Sequence, residues 1–406
     1  MNRLAFSHWW PWLGFVIALG LHLWQLGQPA QLVSDEAFFV NDGRDYVTHQ
    51  TYFDPHPPLG KLQLGAVFSL AGFTPVTWRI VNAVEGALIV PLLWWLVWRL
   101  TRQRAAANLA LILALADGLL LVESRLGLIN VPYILYSLAA LAAILKALEA
   151  RRPGRWLAAA GLFIGAGLSV KWLAILITGP AAALWFWPQL FGQRHHPEQS
   201  RGIKAAAWMC LLLIPAAIYW LTFRLHVGWL GISSGFWQLN RQMLNYHLSV
   251  PAAGDPYAAP WWGWLLLWRP FVYWSQAVGD KMGAIWSLPN PWVWWTGGGI
   301  FLYSLVKGWR QPAARLLNIL LLATWLPLAV INRIMYSYHA LPFDLALIML
   351  TAAWLGQWWH RYRRWIATYL AVAMIVFAWF APWYLNIPLS HQQQKLRQWL
   401  PTWTAK

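Results

Sequence analysis

The chain has 406 residues, of which 59% are hydrophobic and 11% charged, with 35 tryptophans and a mean hydropathy of +0.45. That balance exceeds what a soluble core of this size uses, and repeated apolar runs of about 16–22 residues are each long enough to cross a bilayer as a helix. The formal charge of +17 would suggest nucleic acid in a soluble protein, but Lys and Arg fall mostly in short loops between apolar runs, as on the inner side of a membrane protein, which argues against that partner.

The runs are continuous rather than alternating, so they read as helices and not as strands of a barrel. The first extends from Trp9 to Leu26 behind a short basic segment containing Arg3, and with no small-residue cleavage site after it, it reads as a retained anchor. A polar interval at 28–75 follows, punctuated by Pro55, Pro57 and Pro58, in which Leu62 to Phe73 is too short to span and is predicted as a re-entrant or interfacial helix. Spans are then predicted near 76–98, 105–121, 127–148, 156–170, 173–190 and 205–222. After a second long interval at 223–290 come spans near 291–306, 316–332, 338–358 and 365–383. Every second junction is basic: Arg99, Arg102 and Arg104; Arg151, Arg152 and Arg155; Arg194, Arg201 and Lys204; Lys307, Arg310 and Arg315; Arg361, Arg363 and Arg364. The expected architecture is an all-α polytopic membrane protein of about eleven transmembrane helices with two large external loops, the N-terminus inside and the C-terminus outside. Residues 1–406 then form a single transmembrane domain. Cys210 is the chain's single cysteine, so no intrachain disulfide forms.

This topology sorts the acids. Asp35, Glu36, Asp42, Asp45, Asp54, Asp117, Glu123, Asp255 and Asp280 all fall at the external face, leaving Glu85, Glu149, Glu198 and Asp344 elsewhere. Five of the chain's 13 carboxylates lie in SDEAFFVNDGRDYVTHQTYFDPHPPLGK, Ser34 to Lys61, so chemistry is expected there. Adjacent acids at Asp35 and Glu36 suit a general base with a supporting partner, or one corner of a cation site; alone, such a pair is more often two solvated acids above a helix, and its company raises the functional reading. Asp54 and His56 stand nearby, where prolines hold the backbone extended ahead of Gly60 and Lys61.

Cations recur at the outer ends of spans: Arg125 in ESRLGLIN, Lys171 in GLSVKWL and Arg333 in INRIMYSYH. A guanidinium there either snorkels or holds a phosphate bidentately, and a lipid-phosphate headgroup lies at that depth. In the second loop, Tyr246 and His247 are candidate substrate contacts. Trp261, Trp262, Trp264 and Trp268 are either interfacial anchors or faces for a sugar or acceptor, with Trp262 the candidate for substrate. No tight His and carboxylate spacing marks a metal; a divalent cation is neither required nor excluded, with Glu36 and His56 as its candidate ligands.

The ordered set SDE, FDPHPPLGK, ESRLGLIN, SVKW, NYHLSV with DPYAAPWWGW and WRP, NPWVWW and INRIMYSYHALP resembles the protein O-mannosyltransferase family, glycosyltransferase family 39 of the GT-C superfamily. The resemblance covers nearly the whole chain. It implies a GT-C fold, a polyprenyl-phosphate sugar donor, usually mannose, and inverting transfer to an acceptor hydroxyl, Ser or Thr of a protein. It makes Asp35 the counterpart of the catalytic aspartate and Glu36 its neighbour. Arg125 matches an arginine implicated in handling the carrier, His56 and Lys61 lie in the matching proline-rich motif, and Lys171 and Arg333 fall in matching segments. The family's histidine-proline-tyrosine triplet is Asp255, Pro256 and Tyr257 here, the valine-type residue of its proline-rich run is Pro55, and the β-trefoil domain of eukaryotic relatives is missing. These departures bear on the acceptor and favour a prokaryotic enzyme of the cytoplasmic membrane with its site facing the periplasm or exterior. Two other readings stay open: a transferase acting on a lipid, glycan or metabolite, as aminoarabinose transferases of the superfamily do, and a transporter of polyprenyl lipid. A transporter predicts ionisable residues at the midplane of several spans, where the sequence offers only Glu85 and Asp344. Oligomeric state is not set by the sequence.

Overall fold

The apolar runs fold as helices whose ends coincide with proline, glycine and basic residues. The computed structural model describes residues 9–192, 201–232, 235–249, 255, 257–331 and 333–404. Arg3, Arg194, Glu198 and Pro256 lie outside the described residues.

In chain order the helices are α1 (Trp10–Leu23), α2 (Glu36–Thr48), α3 (Leu59–Ala71), α4 (Ile80–Thr101), α5 (Arg104–Leu115), α6 (Gly118–Glu123), α7 (Asn130–Ala147), α8 (Gly154–Val170), α9 (Ile175–Phe186), α10 (Arg201–Trp208), α11 (Ile214–Leu230) and α12 (Phe236–Ser249). A hairpin, β1 (Phe271–Val278) and β2 (Lys281–Ser287), precedes α13 (Pro291–Lys307), α14 (Pro312–Trp325), α15 (Leu341–Gln357), α16 (Trp359–Tyr384) and α17 (His391–Arg397). Termini follow local chemistry. Proline stands in the first turn of α1, α11, α13, α14 and α15, where its missing N–H costs no helical bond. Asn290 caps α13 by accepting from the N–H groups of Trp292 and Val293.

Among the described residues, six helices are long and apolar enough to span a membrane: Ile80–Thr101, Asn130–Ala147, Gly202–Leu230, Pro312–Val330, Ser337–Gln357 and Trp359–Tyr384. Five shorter apolar helices accompany them, including α1, α5, α8 and the segment Trp172–Phe186. The protein is therefore an integral membrane protein, mostly helical. Spans differ in position: 83% of the Ser337–Gln357 window is buried against 28% for Trp359–Tyr384, so α15 runs through the middle of the bundle and α16 along its outside.

The predicted interfacial helix is α3, which packs on α2 and ends at Gly72. The second long interval departs from the all-α expectation, since it holds α12 and the β1–β2 hairpin, paired antiparallel from Phe271↔Ser287 to Val278↔Lys281 across Gly279 and Asp280. Gly279 has φ +62°, a conformation glycine adopts freely, and a Gly-Asp pair between β-branched and aromatic runs is a hairpin signal. Strands this short leave no apolar run and resemble interfacial aromatic sequence. The hairpin packs against α6 and α16, with Trp286 stacked on Trp383 at 4.2 Å. It brings residues of the second loop to the N-terminus of α2.

Candidate active site

Asp35 stands at the N-terminal boundary of α2, behind Ser34, whose φ of +42° places a non-glycine residue in the left-handed region. Such local strain persists only where surrounding contacts hold it, and it recurs at functional sites. The holding contact is Glu36. Its carboxylate is fully buried, receives both Nε and Nη2 of Arg79 at 2.7 Å, and accepts the N–H groups of Val33 at 3.1 Å and Gly127 at 2.7 Å. Arg79 completes the clamp by donating to the carbonyls of Leu26, Pro29 and Gln31. A Cβ at Gly127 would lie 2.7 Å from both the Trp78 carbonyl and Val40, so only glycine lets that N–H approach Glu36.

Glu36 thus differs from its expected role beside an acceptor or cation. Both its oxygens are engaged, which leaves no lone pair facing open space, and it does not fit a metal ligand set. Among the described residues, no group of three His, Cys, Asp or Glu side chains converges as a cation site.

Asp35 is placed otherwise. Its Oδ2 accepts the Tyr338 hydroxyl at 3.0 Å, and no ion pair engages it among the described residues. Burial raises its pKa above the ordinary carboxylate value, while the Tyr338 hydrogen bond and the nearby Lys171 ammonium oppose that rise. Tyr338 belongs to an aromatic wall with Tyr273 of β1, Phe271 and Tyr336; the Tyr273 and Tyr338 rings stack 5.7 Å apart. The Tyr336 hydroxyl donates to Asp255 at 2.7 Å, which ties the second loop to the same wall.

Three of the predicted cations meet here. Lys171, at the break between α8 and the helical turn that follows, is buried and donates to Asn130 Oδ1 at 2.8 Å. Burial lowers its pKa to about 8 against the opposing pull of Asp35 and Glu123. Arg333 Nη1 donates to His247 Nδ1 at 2.5 Å, and His247 Nε2 reaches the Pro55 carbonyl at 2.9 Å, so this imidazole carries its proton on Nε2. Lys61 pairs with Asp54 at 2.8 Å and donates to the His56 carbonyl at 2.7 Å, while Asp54 also accepts the His56 N–H at 2.7 Å. These contacts lock the proline-rich turn. The His56 ring lies between those of Phe39 and His247, tilted to both, and burial, then Lys171 and Lys61, push its pKa well below the usual imidazole value. A neutral imidazole leaves the charge of Lys171 and Arg333, which no ion pair engages among the described residues, available to an anion, while Lys61 is spent on Asp54.

Beside this cluster lies a small pocket of about 20 Å³ lined by Asp54, His56, Lys61 and His226 among others. Asp42 of α2 stands next to Asp54, and burial raises its pKa, with Asp54 adding to the rise and Lys61 opposing it. Tyr246 is exposed on α12 and touches Phe53 and His247 at the rim.

Two predicted residues fall elsewhere. Arg125 is buried, and its Nη1 donates to the carbonyls of Leu21, His22 and Trp24, where it satisfies the open C-terminal end of α1. Trp262 is half exposed on the second loop and packs on Trp268, with no contact to the cluster among the described residues. Conversely, sequence reasoning passed over Tyr338, Tyr273, Arg79, Asn130 and Asp42, and gave Glu123 no role. Tyr338 lay inside a quoted motif, but nothing in a single sequence distinguishes a tyrosine facing Asp35 from one in an interfacial belt.

Residues 12–230 match the family described as dolichyl-phosphate-mannose-protein mannosyltransferase, and residues 232–403 match the C-terminal four-transmembrane region of protein O-mannosyltransferase. The chain is 24% identical over 428 residues to a polyprenol-phosphate-mannose–protein mannosyltransferase of Corynebacterium glutamicum, covering 86% of this chain and 81% of that protein. A protein of the same description from Mycolicibacterium smegmatis matches to the same extent. In fold, the chain resembles the Saccharomyces cerevisiae protein O-mannosyltransferase Pmt1-Pmt2 complex bound to the sugar donor, with a TM-score of 0.84 at 14% identity over 98% of this chain and 92% of that one. It also resembles ArnT from Cupriavidus metallidurans bound to undecaprenyl phosphate, with a TM-score of 0.62 at 16% identity over 93% of this chain and 65% of that one.

Proposed function

The chain belongs to the dolichyl-phosphate-mannose-protein mannosyltransferase family, a family of glycosyltransferases, and from that membership we propose that it moves mannose from a polyprenyl-phosphate carrier to a Ser or Thr hydroxyl of a protein. The transfer inverts the anomeric carbon and takes place at the external face of a prokaryotic cytoplasmic membrane. The observation that carries the reading is the state of Asp35. Among the acids of the opening stretch, Glu36 and Asp54 are consumed in ion pairs, whereas Asp35 is held by the hydroxyls of Tyr338 and Ser34 and stays able to take a proton.

The acceptor hydroxyl is a weak nucleophile at neutral pH and needs a positioned base. Asp35 takes its proton as the oxygen bonds to the anomeric carbon from the face opposite the phosphate. The bond from that carbon to the phosphate oxygen breaks, and polyprenyl phosphate departs with the electron pair. Polyprenyl phosphate leaves the donor phosphodiester as a phosphate monoester anion and needs no proton to do so, so cations suffice to stabilise the developing charge. Lys171 and Arg333 supply it, with Lys61 and His56 shaping the turn beside them and Tyr246 and His247 at the rim where an acceptor enters. No step is assigned to a metal, since Glu36 has no free oxygen to offer one. Lys171 and Arg333 beside a carboxylate outside any ion pair, Asp35, suit a transfer centre better than a transport path.

The test is a membrane preparation incubated with radiolabelled polyprenyl-phosphate mannose and then digested with protease. Label released in peptides supports the protein acceptor; label that stays with lipid or free glycan overturns it. Asp35→Asn should leave the protein inserted at normal levels and lower transfer by on the order of 10²–10⁴. Transfer near that of the parent chain would remove Asp35 from the chemistry.

A further inference from the structure

Glu123 closes α6 with its side chain fully buried, and the mechanism above does not use it. Its Oε1 accepts the Tyr273 hydroxyl at 2.7 Å and the Ser287 hydroxyl at 3.3 Å, both from the hairpin. Its Oε2 accepts Nδ2 of Asn130 at 2.8 Å, and Asn130 Oδ1 in turn accepts Nζ of Lys171 at 2.8 Å. The carboxylate therefore joins two arms. One runs through Asn130 to the ammonium of Lys171; the other runs through Tyr273, stacked on Tyr338, to Asp35.

The first arm has a polarity. An ammonium has only donors and a carboxylate only acceptors, so the Asn130 amide fits between them in one sense: oxygen to Lys171, nitrogen to Glu123. Lys171 then spends one N–H on Asn130, and no other hydrogen bond engages its ammonium among the described residues. Remove the charge at Glu123 and this orientation is no longer enforced.

We propose that Glu123 is a positioning residue that, through the fixed polarity of Asn130, holds the Lys171 ammonium toward the leaving phosphate while anchoring the tyrosine wall beside Asp35. The proposal rests on the transferase reading for what Lys171 does. It adds that the carrier's phosphate is met by a cation whose aim is set by a buried carboxylate that never touches the carrier.

Reversing the polarity tests it. In Glu123→Gln, the new amide nitrogen either faces the donating amide of Asn130, which can turn over only by presenting NH₂ to an ammonium, or faces the Tyr273 and Ser287 hydroxyls, whose hydrogens then lose their acceptor. Transfer should fall roughly ten- to hundredfold, the effect of leaving one buried donor unsatisfied. The fall should appear in donor KM and kcat, with acceptor KM unchanged. The double variant Glu123→Gln with Asn130→Asp restores the order. The carboxylate introduced on α7 accepts from Lys171 on one oxygen and from the amide introduced on α6 on the other, with the net charge conserved. Transfer should return to within about tenfold of the parent. A contribution from packing alone would add the two losses instead. Binding of polyprenyl phosphate to purified protein is the second readout, weakened in Glu123→Gln and recovered in the double variant. A Glu123→Gln chain with parental transfer and binding, or a double variant no better than the single one, overturns the proposal. A parent chain that binds the carrier but transfers no mannose overturns the functional reading alone, since carrier binding still reports on Lys171.

Discussion

Glu36→Ala separates a carboxylate that does chemistry from one that builds the site. The substitution removes both hydrogen bonds from the Arg79 guanidinium and the acceptor for the N–H groups of Val33 and Gly127, all in fully buried surroundings. Breaking a buried ion pair by deleting one partner costs about 3–5 kcal/mol, because the other charge is left desolvated. Arg79 retains the carbonyls of Leu26, Pro29 and Gln31, which keeps the loss in the lower half of that range. With an unfolding entropy of about 2 cal/mol/K per residue, a chain of this length should lose about 4–5 °C in Tm. The assay is thermal unfolding of the purified protein in detergent, alongside transfer measured well below the melting range. Glu36→Ala should lower both, and Arg79→Met should produce the same pair of losses, since each removes the same clamp on Ser34 and Asp35. A Glu36→Ala protein that melts like the parent yet has lost transfer would refute this reasoning and return Glu36 to the chemistry.

The pH profile of transfer should be a bell. Asp35 must be ionised to accept a proton and burial raises its pKa, so activity falls on acidification at a pH above the ordinary carboxylate range; Lys171 must be protonated, so activity falls again as pH rises through about 8. A profile flat from pH 5 to 9 would contradict both assignments. Arg125→Met should lower thermal stability by about 1–3 kcal/mol, because three carbonyls at the end of α1 lose their donor, while the donor KM of the surviving protein stays unchanged; a large rise in that KM would make Arg125 a phosphate ligand after all.

How much of this was legible in the sequence follows from which physical signal each part leaves. Spans are written in hydropathy, so Asn130–Ala147, Ser337–Gln357 and Trp359–Tyr384 lie close to where the apolar runs put them. The short helix α3 was likewise visible, as an apolar run too brief to cross. A hairpin of two short strands leaves only alternation and a Gly-Asp turn, and among so many tryptophans that signal was lost.

Side-chain roles divide along a different line. A sequence reports that Asp35 and Glu36 are both acidic and adjacent, but successive residues at a helix start point in directions about 100° apart, so their surroundings need have nothing in common. What separates them is Arg79, which lies forty-three positions away and carries no local mark of its partner. Arg125 misled for the same reason in reverse: a basic residue at the membrane surface suits a phosphate and a helix C-terminus equally, and the choice is made by where α1 ends. Lys171, Arg333 and His247 converged because each lies where a helix breaks or a loop returns, the positions in a bundle where backbone and charge escape lipid. The acidic stretch is therefore organised by burial rather than by charge density. Glu36 and Asp54 are neutralised as ion pairs to shape its backbone, and that neutralisation leaves Asp35 as the one carboxylate of the three positioned to accept a proton.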